Sequence, residues 1–189
     1  MIYFSSDWHL SHANIIDYSE RPFTSTGQMD NTIISNMRDA VTPDDTLYML
    51  GDILWKDTKF HSEMIKSIDC HRVLVAGNHD GAWHGRGKGV KISEKWLENG
   101  TFHEIHQRID TEIDGQKIIM SHFPFYADER HGDKYSGYRP HDDGETWLIH
   151  GHVHQSWLYR EPRQLNVGVD VWDFQPVSWP WVRDMFVRM

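Results

Sequence analysis

The chain has 189 residues, 39% of them hydrophobic and 25% charged, a length and composition suited to one globular domain spanning 1–189. A formal net charge of -9 argues against a protein built to lie along the phosphates of duplex DNA, where a basic stripe is expected. The lone Cys70 excludes an intrachain disulfide and fits a reducing cytoplasm.

Along the chain, Ile2 to Ser6 reads as a short buried strand with a polar exit at Ser6-Asp7. This start lacks a basic n-region and meets Asp7 too early for a signal peptide, and no run approaches ~20 apolar residues, so no membrane span is expected. His12 to Tyr18 forms a helical turn that Arg21-Pro22-Phe23 breaks. Met29 to Val41 carries Ile33, Ile34, Met37 and Val41 at helical spacing and stops at Thr42-Pro43. Thr46 to Leu50 is a strand running into Gly51-Asp52, Lys59 to Ile68 a helix, and Arg72 to Ala76 a strand running into Gly77-Asn78-His79-Asp80. This is the α/β pattern, in which ligands collect at the carboxyl ends of the strands. The second half is richer in strands: Ile105 to Ile113, Lys117 to Met120, Trp147 to His150, Ser156 to Tyr159 and Gln164 to Val171. Residues after Pro176-Val177-Ser178 suit a short C-terminal helix. Two loops stand out, 81–89 with four glycines and the long polar stretch 124–145.

Chemistry-bearing residues recur where strands end: Asp7-Trp8-His9, Gly51-Asp52, Gly77-Asn78-His79-Asp80, Ser121-His122 and Gly151-His152-Val153-His154. On an extended chain, residues two apart share a side, which would align Asp7 with His9 and His152 with His154. Asp52 offers two oxygens able to bridge two cations, Asn78 a neutral amide oxygen, and Gly51 and Gly77 allow tight turns. Mixed nitrogen and oxygen donors suit manganese, iron, nickel or zinc better than calcium or magnesium. Singly each motif is weak. As an ordered set they leave little room for unrelated polar residues, because gathering such groups at one edge without a partner is costly.

The five blocks, D-x-H, G-D, G-N-H-D/E, H and G-H-x-H, resemble the calcineurin-like metallophosphoesterase superfamily. Asp7 to Ile16 followed by Arg21-Pro22-Phe23 resembles its small stand-alone bacterial and phage members. The resemblance implies a four-layer α-β-β-α sandwich, two mixed β-sheets flanked by helices. It implies that Asp7, His9, Asp52 and His154 hold one metal and Asp52, Asn78, His122 and His152 the other, with Mn²⁺ the leading choice. Asp52 and a water or hydroxide would bridge the ions, and the hydroxide would attack phosphorus in line. His79 would protonate the leaving alkoxide, oriented by Asp80.

The protein-phosphatase branch carries an arginine where Ile53-Leu54-Trp55-Lys56 follow Asp52 here, and the chain leaves little room for the cap of the nuclease branch. The expectation is therefore a phosphodiesterase on a small or nucleotide-type substrate, the alternatives being a phosphomonoesterase, a single-strand nuclease or a non-catalytic scaffold. His12, Arg21, Arg86, Arg130 and Arg139 are candidate substrate contacts. Each has a blander reading as a solvent-facing or capping residue. The long loop's basic groups, mixed with Tyr126, Tyr135 and Tyr138, suit a nucleotide as well as they suit a solvated loop. Cys70 and the tryptophans read as core, or for the latter a self-association surface.

Overall fold

The structure is a computed structural model that describes residues 1–56, 58–126 and 134–188. Its first sheet is built on four parallel strands, β1 (Ile2–Ser5), β2 (Thr46–Met49), β3 (His71–Val75) and β4 (Glu104–His106). The second contains β5 (Ile109–Ile113), β6 (Gln116–Met120), β7 (Trp147–His150), β8 (Tyr159–Arg160) and β9 (Gln164–Asn166), in the order β5-β6-β7-β9-β8. Strands β6, β7 and β9 run parallel, with antiparallel partners at both edges. A last strand, β10 (Val177–Ser178), returns to lie antiparallel against β1.

The parallel strands are apolar on both faces, and period-two alternation divides their side chains between two cores. Leu47, Met49 and Leu74 face helices α1 (Ala13–Tyr18), α2 (Thr26–Ala40), α3 (Lys59–Lys66) and α4 (Gly89–Glu98), whose Ile15, Ile33, Met37, Ile65 and Trp96 join the same core. Phe4, Leu50 and Val75 face the second sheet and meet Ile118, Met120, Ile149, Leu165 and Val167. Helix α5 (Trp179–Arg188) joins this inter-sheet core through Trp179, Val182 and Phe186, and Phe186 stacks on Trp147 of β7. Ile119, Phe125 and Leu148 form a smaller cluster of their own.

Local chemistry sets the helix starts. Ser25 accepts a hydrogen bond from the Gln28 N–H, so α2 begins three residues before its first apolar position at Met29. Thr58 caps α3 in the same way through His61. Helix α4 was not anticipated: its start is glycine- and lysine-rich, yet Trp96 is completely buried and anchors it.

Three strand expectations need correction. Ile105 to Ile113 is not one strand: the chain leaves the first sheet after His106 and enters the second at Ile109, so adjacent residues serve different sheets. Ser156 lies in a 3₁₀ turn, and the strand there is Tyr159–Arg160. The segment from Gln164 stops pairing at Asn166, and Val169–Val171 forms another 3₁₀ turn. That early stop has a purpose at the site. Ser6, just past β1, pairs with Gly168, just past β9, and the Val169 N–H donates to the Ser6 carbonyl at 3.0 Å. The two sheets are thereby tied together at the edge where β1, β2, β3, β6, β7 and β9 end.

Candidate metal centre

The residues of the expected ligand set do converge on this edge, though by a different route from simple alternation. Asp7, His9, Asp52, His152 and His154 have φ of 59°, 52°, 54°, 75° and 50°. These left-handed conformations are unfavourable for residues with a side chain and persist only where the surroundings enforce them. The enforcement is visible: the Asp7 N–H donates to Gly51 O at 3.0 Å and the His9 N–H to Asp52 O at 2.9 Å. The first two motif turns thus brace one another. Gly51, at φ 91°, is obligatory here, since a Cβ would stand 2.6 Å from both Gly77 N and His122 Nδ1.

Asp52 lies at the heart of the cluster. Its Oδ2 is 3.6 Å from His9 Nε2 and 3.4 Å from His122 Nε2. Around His122 Nε2 also stand Asn78 Oδ1 at 3.2 Å and His152 Nδ1 at 3.3 Å. Two groups offer donor atoms within 4.8 Å of one another: Asp7, His9 and His154, and Asp7, Asp52 and His122. Asp7 belongs to both, so it stands at the seam together with Asp52.

The donor set fits divalent cations. Both ring nitrogens of His9 are buried and lack a hydrogen-bond partner among the described residues, a costly arrangement unless a lone pair meets a metal. In its neutral form, His122 gives its Nδ1 proton to Leu50 O at 2.9 Å, which leaves the Nε2 lone pair facing the cluster. His154 gives its Nδ1 proton to Asp170 Oδ2 at 2.8 Å in the same fashion. The electrostatics are those of acids and imidazoles crowded out of water. Burial pushes the Asp7 pKa up and the His9 pKa well down. Burial also opposes the charged forms of Asp52 and His122, but each is overruled. His122, His9 and His79 hold Asp52 well below the usual carboxylate range, and Asp52 and Asp7 lift His122 to about 9.

Around this centre several expectations change. Asp80 is completely buried, and its carboxylate accepts from four backbone N–H groups, Asp52 at 2.8 Å, Ile53 at 3.0 Å, Leu54 at 3.1 Å and Gly77 at 2.9 Å. These bonds tie the turn at Asp52 to the turn at Gly77, and the four hydrogen bonds named run to backbone and none to the His79 ring. His79 itself is anchored by its backbone, whose N–H donates to Asp52 Oδ1 at 2.7 Å, and its Nε2 lies 3.9 Å from Asp52 Oδ2.

Arg21 is not a phosphate contact. It is buried, pairs with Asp170 through Nε at 2.7 Å and Nη2 at 3.0 Å, and donates to the carbonyls of Asp7 and Trp8. Arg86 turns to the backbone, donating from Nε to Asn78 O at 3.1 Å. Arg139 donates to Tyr126 O at 2.8 Å and Pro124 O at 3.3 Å. Arg130 lies outside the described residues. His12 faces the site rather than solvent: its ring stacks on Trp55 with centroids 3.7 Å apart and planes at 9°, and it stands 5.4 Å from His9.

Sequence reasoning missed Asp170, which links His154 to Arg21. Its signal is the Gly168-Val169-Asp170 stop after a strand, which the apolar rhythm running on to Val171 masks. Trp83 of the first long loop packs against Tyr138 at 4.7 Å, and Tyr135 packs against the His152 ring at 5.3 Å, beside the cluster.

A family model described as a calcineurin-like phosphoesterase superfamily domain matches residues 1–172. An uncharacterized protein of Methanocaldococcus jannaschii is 32% identical over 185 residues, covering 94% of this chain and 86% of that protein. The Gene 66 protein of Mycobacterium phage L5 is 28% identical over 181 residues, covering 90% and 86%. The crystal structure of a protein of unknown function from Aquifex aeolicus is similar with a TM-score of 0.73 and 27% identity, over 98% of both chains. With this match running through every motif block of the converging cluster, the chain belongs to the calcineurin-like phosphoesterase superfamily and is a hydrolase of phosphoester bonds.

Proposed function

We propose that the protein is a dinuclear metal-dependent phosphodiesterase acting on small or nucleotide-type esters. The observation that carries this reading is the position of Asp52 Oδ2 between His9 Nε2 and His122 Nε2, at 3.6 and 3.4 Å. One carboxylate oxygen thus lies between two histidines that fall in different donor groups, which supports a bridging place for it. Asp7, His9, Asp52 and His154 would hold one cation and Asp52, Asn78, His122 and His152 the other. Their mixed donors favour a transition metal, manganese first, with iron, nickel or zinc as alternatives. When bound, such a pair supplies an acidified water and positive charge for the phosphoryl oxygens.

The chain's own residues do the rest. His122 and His154 present fixed lone pairs because Leu50 O and Asp170 take their other protons. His79 is partly exposed and carries no ligand duty in this reading, so its ring can face a leaving oxygen and deliver a proton to it. Burial holds the His79 pKa down. The negative charge of a phosphoester beside it works in the opposite direction and favours the protonated ring. Cys70 takes no part: it is buried, and burial raises its thiol to about 11. A free buried thiol supports assignment to a reducing cytoplasm, and no helix among the described residues is long and apolar enough to cross a membrane.

The test is metal analysis of the purified protein, then Mn²⁺-supplemented assays on bis(4-nitrophenyl) phosphate, 4-nitrophenyl phosphate and a labelled single-stranded oligonucleotide. About two metals per chain and preferred turnover of the diester are expected. Turnover of the monoester alone would move the reading to a phosphomonoesterase, and oligonucleotide cleavage to a nuclease. Neither metal nor activity would leave a scaffold.

A further inference from the structure

A cavity of about 450 Å³ opens directly beside the cluster, with His9, His79 and His154 at its floor and His12, Tyr18 and Trp55 among its walls. Its size falls within the range of small-molecule sites, roughly 300–1,000 Å³. Rings dominate it. The parallel stack of His12 on Trp55 and the approach of Trp55 to His79 at 4.9 Å carry an aromatic wall from the mouth to the reaction centre.

His12 and Ser19 belong to the lining, but His12 Nδ1 and Ser19 Oγ are themselves enclosed and turn no surface to the cavity. Asn14 adds an amide, and none of the lining residues is acidic. Flat aromatic walls with an exposed amide match a planar heteroaromatic ring with polar edges. A lipid chain would ask for aliphatic lining, of which only Ile15 is present.

We infer that this cavity is the seat of a nucleoside, whose base packs along the His12–Trp55 wall while its phosphate reaches the floor, and that Trp55 is a specificity determinant. The inference rests on the phosphoesterase reading above and names its substrate class as esters of nucleosides. Base–aromatic contact supplies the preference, since every base has a face to pack on an aromatic ring. The exposed amide of Asn14 supplies an edge contact.

The experiment uses the full chain loaded with Mn²⁺ and compares AMP with ribose 5-phosphate, both as inhibitors of bis(4-nitrophenyl) phosphate hydrolysis and by calorimetry. AMP is expected to bind about 10-fold more tightly, within the span that stacking of one base provides. Trp55→Ala should shrink that ratio to below about 3-fold, and Asn14→Ala should narrow it less. Trp55 is 39% exposed, so the variant folds without a core defect. Equal affinity for AMP and ribose 5-phosphate, or a ratio untouched by Trp55→Ala, overturns the inference. Calorimetry reads the ratio without turnover, so failure to hydrolyse any ester counts against the parent reading and not against this one.

Discussion

Replacing Asp170 by asparagine separates the support of the site from the site itself. The carboxylate receives the Arg21 guanidinium at 2.7 and 3.0 Å and the His154 ring at 2.8 Å, and the side chains of the Arg21–Asp170 pair are 1% and 2% exposed. Asparagine keeps one acceptor oxygen but leaves the arginine charge buried without its counter-charge. Breaking a buried pair in this way costs roughly 3–5 kcal/mol, and the retained acceptor puts the value near the lower end. Against a total stability of about 5–15 kcal/mol, that is a large share. With an m-value of ~2 kcal/mol/M, the urea midpoint falls by roughly 1.5 M.

A second effect is independent of the first. With its single oxygen turned to the Arg21 guanidinium, the asparagine meets His154 Nδ1 with an NH2 instead of an acceptor, so the His154 tautomer is no longer fixed and metal affinity falls by about 10–100-fold. The pair Arg21→Met with Asp170→Leu tells them apart. With both charges gone, stability recovers much of the loss, less about 1 kcal/mol each for the Asp7 and Trp8 carbonyls that lose their donor. Metal affinity stays low, because His154 still has no acceptor. Urea denaturation and Mn²⁺ titration calorimetry measure the two quantities. Asp170→Asn with stability within about 1 kcal/mol of the parent and unchanged Mn²⁺ affinity would refute the reasoning.

His79→Asn should retain Mn²⁺ and slow turnover by about 10²–10⁴ on alkyl esters, with a much smaller effect on nitrophenyl esters, as expected for a lost proton donor; parallel loss on both ester types, read from kcat, would count against that role. Asp80→Ala strips the acceptor from four backbone N–H groups, so it should lower the urea midpoint and Mn²⁺ affinity together, with rate losses that do not depend on the leaving group. A selective loss on poor leaving groups would instead restore Asp80 as a partner of His79. Asp30 is 4% exposed and accepts the Ser11 N–H, and burial raises its pKa from 3.8 to about 6. Between pH 4 and 6 the unfolded chain releases this proton first, so Asp30 makes stability fall as pH rises through that window, by on the order of 3 kcal/mol in all. Asp30→Asn should flatten that part of the stability–pH curve measured by urea denaturation, and an unaltered curve would exclude the effect.

Much of the site was legible because its chemistry is local: an aspartate or histidine directly after an apolar run is visible without knowing which strands are neighbours. What those residues lean on was not. Asp170 lies 149 residues from Arg21 in sequence, and the bridge between Ser6 and Gly168 and the packing of Phe23 on Phe174 bring their segments together. The family resemblance pairs Asp80 with His79, and what no resemblance shows is that its carboxylate gathers the amides of Asp52, Ile53, Leu54 and Gly77. Alternation misled at Asp7-x-His9, since it holds for extended chain and these residues are left-handed. The strand division at His106–Ile109 was hidden because both halves are apolar in the same rhythm, and nothing in the rhythm marks a change of sheet.

The tie between the two sheets has a consequence for how the molecule tolerates change. Asp7, His9, Asp52 and Asn78 ride on the ends of the first sheet, and His122, His152 and His154 on the ends of the second. The cluster is therefore a gauge of alignment between two separately built halves. Phe4, Val75, Met120 and Val167 are fully buried in the core between the sheets, and they set the spacing that the gauge reads. Substitutions there act as misalignments, spreading His9 from His122 while leaving every donor chemically intact. A cation bound by donors from both sheets would work in reverse, as a rivet whose grip is also a force holding the halves in register.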